Sequence, residues 1–221
     1  MTSKPTPVNE NIGPQSSGPD AKRLAQTGRG ETAKRGYHHG DLRSALLQAG
    51  LTHLETQEAD ALSLRDLARE IGVSAPAIYR HFPNKDSLLR ALAAEGLKML
   101  AAEQTAAAGQ GGPAALAASG QAYVRFAMRH PFLFRLIFSA IPVDANPFEA
   151  SPEGSSAALL RDAVESLAPP HASEAERFAG ALRAWALIHG LAMLILDRQI
   201  DAAIAEEMIE QVIRVGSIRL G

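Results

Sequence analysis

The chain has 221 residues, 46% of them hydrophobic and 21% charged, with a formal charge of −2, which describes a globular protein of one large or two small domains with a core to bury. The absence of cysteine excludes disulfides, thiolate metal sites, iron–sulfur clusters and cysteine-based catalysis, and fits a reducing compartment. The opening MTSKPTPVNE shows no basic-then-apolar pattern, and the longest nearly uncharged apolar run, Ala184 to Leu196, has 13 residues where a bilayer span needs roughly 17 to 25, so the expectation is a cytoplasmic protein with neither a secretory signal nor a membrane segment.

Residues 1 to 36 hold much of the Pro, Gly, Ser and Thr and few large apolar side chains, which predicts a flexible tail. From Lys22 to Arg43 there are six basic side chains against two acidic ones. That excess suits either a solvated tail or an arm that touches phosphates. His38 and His39 lie beside it; they could sense pH or bind metal, but a solvated pair against a nucleic-acid backbone is the simpler reading, and no metal site is assigned.

From Asp41 onward the pattern is helical, and the fold class is all-α. Leu42, Leu46, Ala49 and Leu54 give Asp41 to Thr56 one apolar face. Ser63 can cap a short second helix to Glu70, with Leu64, Leu67, Ala68 and Ile71 as its inner face. Gly72 suits a left-handed helix end. Ser74 is a second N-cap, and Ala75-Pro76 occupy a first turn in which a missing N–H costs nothing. His81-Phe82-Pro83 ends that third helix, and Asn84 caps a long fourth one that runs toward a linker, Gly109 to Gly112.

The remainder also reads as helices: Pro113 to Arg129, Pro131 to Ser139, Glu153 to Leu167, Ser173 to Gln199 and Asp201 to Arg219, with a proline-rich loop from Ala140 to Pro152. The middle of the Ser173 to Gln199 helix is apolar nearly all round, so burial on most of its sides is expected. Ile204, Met208, Val212, Val215 and Ile218 place a stripe on the last helix. Together with Leu191 and Ile195 on the helix before it, this surface is either the core of one subunit or half of a homodimer interface, and an interface is the expectation because a chain of this size covers the stripe only with a partner.

Two short helices joined by Gly72-Val73-Ser74 behind an amphipathic helix have the layout of a helix-turn-helix, whose second helix enters the DNA major groove. The small Ala68 allows the helices to cross, while Val73 and Ile78 fill a miniature core. The stretch from Leu62 to Leu89, LSLRDLAREIGVSAPAIYRHFPNKDSLL, closely resembles the tetracycline-repressor (TetR) family of bacterial regulators. Gly72-Val73-Ser74, Ile78-Tyr79, His81-Phe82 and Lys85-Asp86-Ser87-Leu88-Leu89 carry the likeness in register, and it extends over about Tyr37 to Leu100. Beyond this, Trp185 to Gly190 resembles a Trp-His-Gly pattern of one branch. Glu58 departs from the pattern, standing where the family often has Gly.

The resemblance implies a flexible basic tail (1–36), a DNA-binding domain (37–84), a connecting helix (85–108) and a ligand-binding and dimerisation domain (109–221). It implies a homodimeric regulator, most often a repressor, on a palindromic double-stranded operator. Carried over by position, Ser74, Ala75, Pro76, Ala77, Tyr79, Arg80 and His81 belong to the recognition helix. Arg80 can read guanine, and the three apolar residues can touch only apolar groups such as a thymine methyl. Ser63, Arg65, Tyr79 and Lys85 are the expected phosphate contacts; the alternative for Tyr79 is a ring packed in the miniature core.

In the second half, Phe126, Phe134, Phe138, Phe178, Trp185, His189 and Met193 either pack as ordinary core or line an apolar cavity for a small, largely apolar effector. No cofactor is implied. No HExxH, P-loop, nucleophile elbow or carboxylate pair appears, and Gly109 to Gly112 lacks the Lys-Ser/Thr of a phosphate loop, so no enzyme is expected. The alternative is a helical interaction or small-molecule-binding module without sequence-specific DNA binding. The near-neutral total conceals a polarity: residues 1–100 carry 13 basic and 11 acidic side chains, and the remainder 9 and 13.

Overall fold

The computed structural model describes residues 39–109, 112–140, 148 and 152–214, all within one compact unit. Among them the regular structure is entirely helical. The expected tail 1–36, His38, Pro142, Pro147, Val215 and Ile218 lie outside the described residues.

Helix α1 (His39–His53) turns Leu42, Leu46 and Ala49 inward, and Leu54 follows them just past its end. A 3-10 turn, Ala59–Ala61, leads into α2 (Leu64–Glu70). Glu58 precedes that turn at φ −69° and ψ 154°, an extended conformation open to any residue, so Glu in place of the family's frequent Gly is unstrained. The Ser63 hydroxyl accepts from the backbone N–H of Asp66 at 3.4 Å and caps α2. Gly72, at φ +72°, turns the chain into α3 (Ala75–Tyr79) at a backbone angle that costs other residues about 1 kcal/mol. Ser74 holds the N-cap backbone position but makes no capping bond through its side chain, so the expected cap is one of position only. Ile78 and Phe82 are buried and complete the small core.

Asn84 and Ser87 form a reciprocal capping box, with Ser87 N–H donating to Asn84 Oδ1 at 2.8 Å. It starts α4 (Lys85–Ala108), which belongs to both halves of the fold: Leu88 and Leu92 close the three-helix head, while Gly96, Leu100 and Gln104 face the larger half. Two glycines set how closely it packs. A Cβ on Gly50 of α1 would lie 2.9 Å from Leu92 Cδ1, and one on Gly96 would lie 2.8 Å from Leu133 Cδ1 and 2.9 Å from Ile137 Cδ1. Gln104 is buried; its amide N–H donates to Ser119 Oγ at 3.3 Å, and its Oε1 has no partner among the described residues.

α4 packs against α5 (Gly112–Arg129), α6 (Pro131–Ala140) and α7 (Ser156–Leu167), and α5 in turn meets α8 (Glu174–Leu196) and α9 (Ala205–Val212). Several boundaries differ from expectation for local reasons. The Ser155 hydroxyl accepts from Ala158 N–H at 3.2 Å, so α7 begins at Ser156 rather than at Glu153. A Ser173–Glu176 capping box opens α8, and the Ser173 backbone N–H on the Glu176 carboxylate, helped by the Ser173 hydroxyl, holds its pKa below the usual range. Arg198 at φ +56° closes α8, short of Gln199. Asp201 caps a separate 3-10 turn, Ala202–Ile204, so the last helix starts later than expected.

α8 also departs from the expected burial. It is 23 residues long and apolar enough to cross a membrane by length and composition, yet Ala181, Ala184, Ile188, Leu191, Ala192 and Ile195 pack into the core. The opposite face leaves Phe178 40%, Leu182 43% and Leu194 47% exposed, so the helix is buried on one side, not on most. Because the α4–α6 approach admits no Cβ without repacking, Gly96→Val is expected to lower stability by about 1–3 kcal/mol. Urea unfolding followed by circular dichroism checks this as a lower midpoint at an unchanged slope.

Candidate nucleic-acid interface and ligand cleft

The third helix is short, and its register decides what faces outward. Ile78 and Phe82, one turn apart, are pinned in the core, which leaves Ser74, Pro76, Tyr79 and Arg80 exposed and Ala75, Ala77 and His81 half-buried. Tyr79 is 43% exposed, so its ring lies outside the miniature core. Arg65 and Arg80 are exposed and have no ion-pair partner among the described residues, whereas the neighbouring Arg69 is paired with Asp66 at 2.9 Å. An unpaired guanidinium keeps its fork free for a phosphate or a guanine edge.

Ser63 and Lys85 are already engaged within the chain. The Ser63 hydroxyl caps α2. Lys85 Nζ donates to the Asp60 carbonyl at 2.7 Å, leaving two of its three N–H donors for an outside acceptor. Arg43, which sequence reading counted only as part of a basic arm, places its guanidinium 5.5 Å from the centroid of the Phe82 ring. The position is one turn after His39 on α1 and carries no sequence signal of its own, since the partner ring comes from the other end of the three-helix head.

The seven expected effector residues separate into three places. Phe134, Phe138, His189 and Met193 line one cleft of about 440 Å³, together with Phe132, Leu136 and Ser139 of α6 and with Glu58, Ala59 and Asp60 of the first 3-10 turn. Phe178 lines a different cavity of about 570 Å³ between α7 and α8, with Phe148, Val164 and Ala181 below charged groups of which Arg177 and Glu165 form an ion pair. Phe126 is fully buried and packs its ring against His130; it lines neither space. Trp185 also stands behind the clefts rather than in them, tilted against Phe138 and edge-on to Phe148.

Trp185 belongs to a polar relay that sequence reading missed at its centre. Its indole N–H points to the Tyr123 hydroxyl at 3.4 Å, and that hydroxyl lies 2.9 Å from His189 Nδ1. Indole nitrogen only donates, so the Tyr123 oxygen accepts from Trp185, while the direction of its bond to Nδ1 is set by the imidazole tautomer. Burial pushes the Tyr123 hydroxyl far above its ordinary pKa, only partly offset by the Trp185 hydrogen bond, and burial likewise pulls His189 below the usual histidine value. Phe134 stacks on the imidazole, and Phe138 meets it edge-on at 4.8 Å. The only advance signal for Tyr123 was its place three residues before Phe126 on one apolar helix.

Tyr123→Phe removes the shared oxygen and leaves the Trp185 N–H and His189 Nδ1 without their partner, which is expected to cost about 1–3 kcal/mol. His189 adds a pH dependence: the unfolded chain takes up its proton near pH 6.5 and the folded chain only below that. Its contribution is full above the unfolded value and is lost as pH falls through the folded one. Stability measured from pH 8 to pH 5 should fall on acidification, and His189→Gln should flatten that part of the profile.

Comparison with known proteins agrees with this geometry. Residues 46–92 match the family described as bacterial regulatory proteins, tetR family, and residues 116–215 match the tetracyclin repressor-like C-terminal domain. The chain is 25% identical over 162 residues, 72% of each sequence, to the uncharacterized HTH-type transcriptional regulator Rv0681 of Mycobacterium tuberculosis. Among solved structures it is similar to a protein of unknown function from Rhodococcus sp. RHA1, at 33% identity and a TM-score of 0.61, covering 80% of this chain and 93% of that one. It shares its fold, at 20% identity and a TM-score of 0.54 over 77% and 93% of the two chains, with a single-substitution variant of TetR from Acinetobacter baumannii AYE in complex with minocycline. With both halves of the fold matched in order, the chain belongs to the TetR family of transcriptional regulators, which are DNA-binding proteins and not enzymes.

Proposed function

We propose that this regulator is a cytoplasmic repressor that binds a palindromic operator as a homodimer and is released by a small, largely apolar effector. The observation that carries the reading is the register of α3: Ile78 and Phe82 hold the helix from inside while Ser74, Pro76, Tyr79 and Arg80 are left outside. A helix so anchored offers base edges a rigid face, and Arg65 and Lys85 flank it as phosphate contacts. The effector reading rests on the aromatic cleft beside His189, within reach of the turn that leads into α2. Release follows as a population shift in which the ligand favours a spacing of the two recognition helices unlike that of successive major grooves, about 34–36 Å apart.

The dimer reading takes its support from the uncovered side of α8. Leu191 and Ile195 are buried inside the protomer, so they are withdrawn as interface residues: their apolar surface is already spent in the core. Leu182, Ala186, Gly190 and Leu194 recur at every fourth position on the opposite face, with space open beside Gly190. Ile204 is 46% exposed, and Met208 and Val212 are half-buried. A ridge of this kind is covered by a second copy of itself in an isologous contact.

Selection of bound duplexes from a random pool, followed by titration at rising salt, tests the DNA reading: a palindromic site whose affinity falls steeply with salt is expected, and no retained duplex would leave only the helical-module alternative. On that site, Tyr79→Ala is expected to weaken binding roughly tenfold with the fold intact. Arg80→Ala should remove the preference at one base pair, worth roughly 1–3 kcal/mol, rather than weaken all sequences alike. Leu182→Asp with Leu194→Asp, both at exposed positions, should yield folded monomers in sedimentation.

A further inference from the structure

The cleft beside His189 does not lie within the larger half alone. One wall is the Glu58–Asp60 turn of the three-helix head, and the other is α6 and α8. A molecule seated there touches both halves at once.

Its chemistry is asymmetric. Phe132 and Phe138, both half-buried, supply ring surface, and Met193 adds a polarizable thioether. The charged groups at the mouth are Glu58, Asp60 and Arg135, and Arg135 is already paired with Asp197. Glu58 and Asp60 have no ion-pair or side-chain hydrogen-bond partner among the described residues, and both are exposed. Unpaired carboxylates in one cleft with aromatic rings attract positive charge, the carboxylates by charge and the rings by their faces, and the carboxylates repel anions. The same turn is tied to the DNA-facing elements, because Lys85 Nζ at the start of α4 donates to the Asp60 carbonyl.

We propose that this seam binds an organic cation with an aromatic or apolar body, its charge at Glu58 and Asp60 and its body on Phe132 and Phe138, and that occupancy shifts the Glu58–Asp60 turn against Lys85 and so weakens operator binding. This rests on the reading of the chain as an effector-released regulator and deepens it by naming the effector class and its point of action. It places the regulatory contact directly on the head, without requiring a movement to travel the length of α4.

Two probes of nearly the same shape and opposite charge test it on the full chain: tetraphenylphosphonium and tetraphenylborate, titrated by calorimetry, with duplex affinity followed by fluorescence anisotropy. The cation is expected to bind at least about tenfold more tightly than the anion, and E58Q with D60N to remove that difference. Saturating cation should weaken the duplex complex about tenfold, and Ser139→Trp, which fills the mouth from the exposed side of α6, should abolish both effects while its circular dichroism stays unchanged. Equal binding of the two probes, indifference to E58Q with D60N, or cation binding that leaves duplex affinity unmoved would each overturn the proposal. A chain that holds salt-sensitive duplex binding yet ignores the cation sinks this inference alone. Failure to bind any duplex sinks the regulator reading instead, and the calorimetric comparison still decides whether the seam takes a cation.

Discussion

One helix, α4, packs into two cores and joins them. α4 closes the three-helix head through Leu88 and Leu92 and enters the larger half through Gly96 and Leu100. At the two glycine approaches, Gly50 to Leu92 and Gly96 to Leu133 and Ile137, an added Cβ would have to displace the ends of those side chains, so three helices meet closely there. Interiors packed to crystal-like density shift between discrete arrangements rather than deform smoothly. A helix clamped on both sides in this way makes the head and the larger half poor at moving independently, and the Asn84–Ser87 box fixes where that shared helix begins.

Apolar packing, rather than charge, holds this arrangement. The ion pairs are exposed ones, such as Arg125 with Glu206 and Arg129 with Glu103, and pairs of that kind contribute about 0–1 kcal/mol each. Their distribution still has a use. Acidic partners neutralise Arg125, Arg129, Arg135, Arg161 and Arg177 in the larger half, while Arg65 and Arg80 of the head keep their charge uncommitted. Arg183, Arg198 and Arg214 of the larger half are likewise without an ion-pair partner among the described residues, so the overall charge of −2 averages two halves that each hold paired and unpaired arginines.

Local chemistry was the part legible in the sequence. The Ser63 cap, the Asn84 cap and the left-handed Gly72 depend on residues within four positions of one another, and each appears where the residue types place it. Exposure of α8 was not legible, because composition reports that a helix is apolar and not which neighbours cover it; Leu191 and Leu194 are equivalent in sequence and opposite in burial. Tyr123 was missed for the same reason: its partners are 62 and 66 positions away. Glu58 drew notice only as a departure from a family habit, although its side chain stands at a seam that forms when α6 and α8, far later in the chain, fold against it.

The relay behind that seam has an optical consequence. Trp185 is the chain's one tryptophan, and it sits with its N–H on Tyr123 and its ring 5.8 Å from that of His189. All indole emission therefore originates at a single point between Phe138 and Phe148, beside the His189 imidazole. Energy absorbed by Tyr123 has its acceptor in direct contact. The protein carries in its own core a light source whose colour and yield follow the polarity of this cluster.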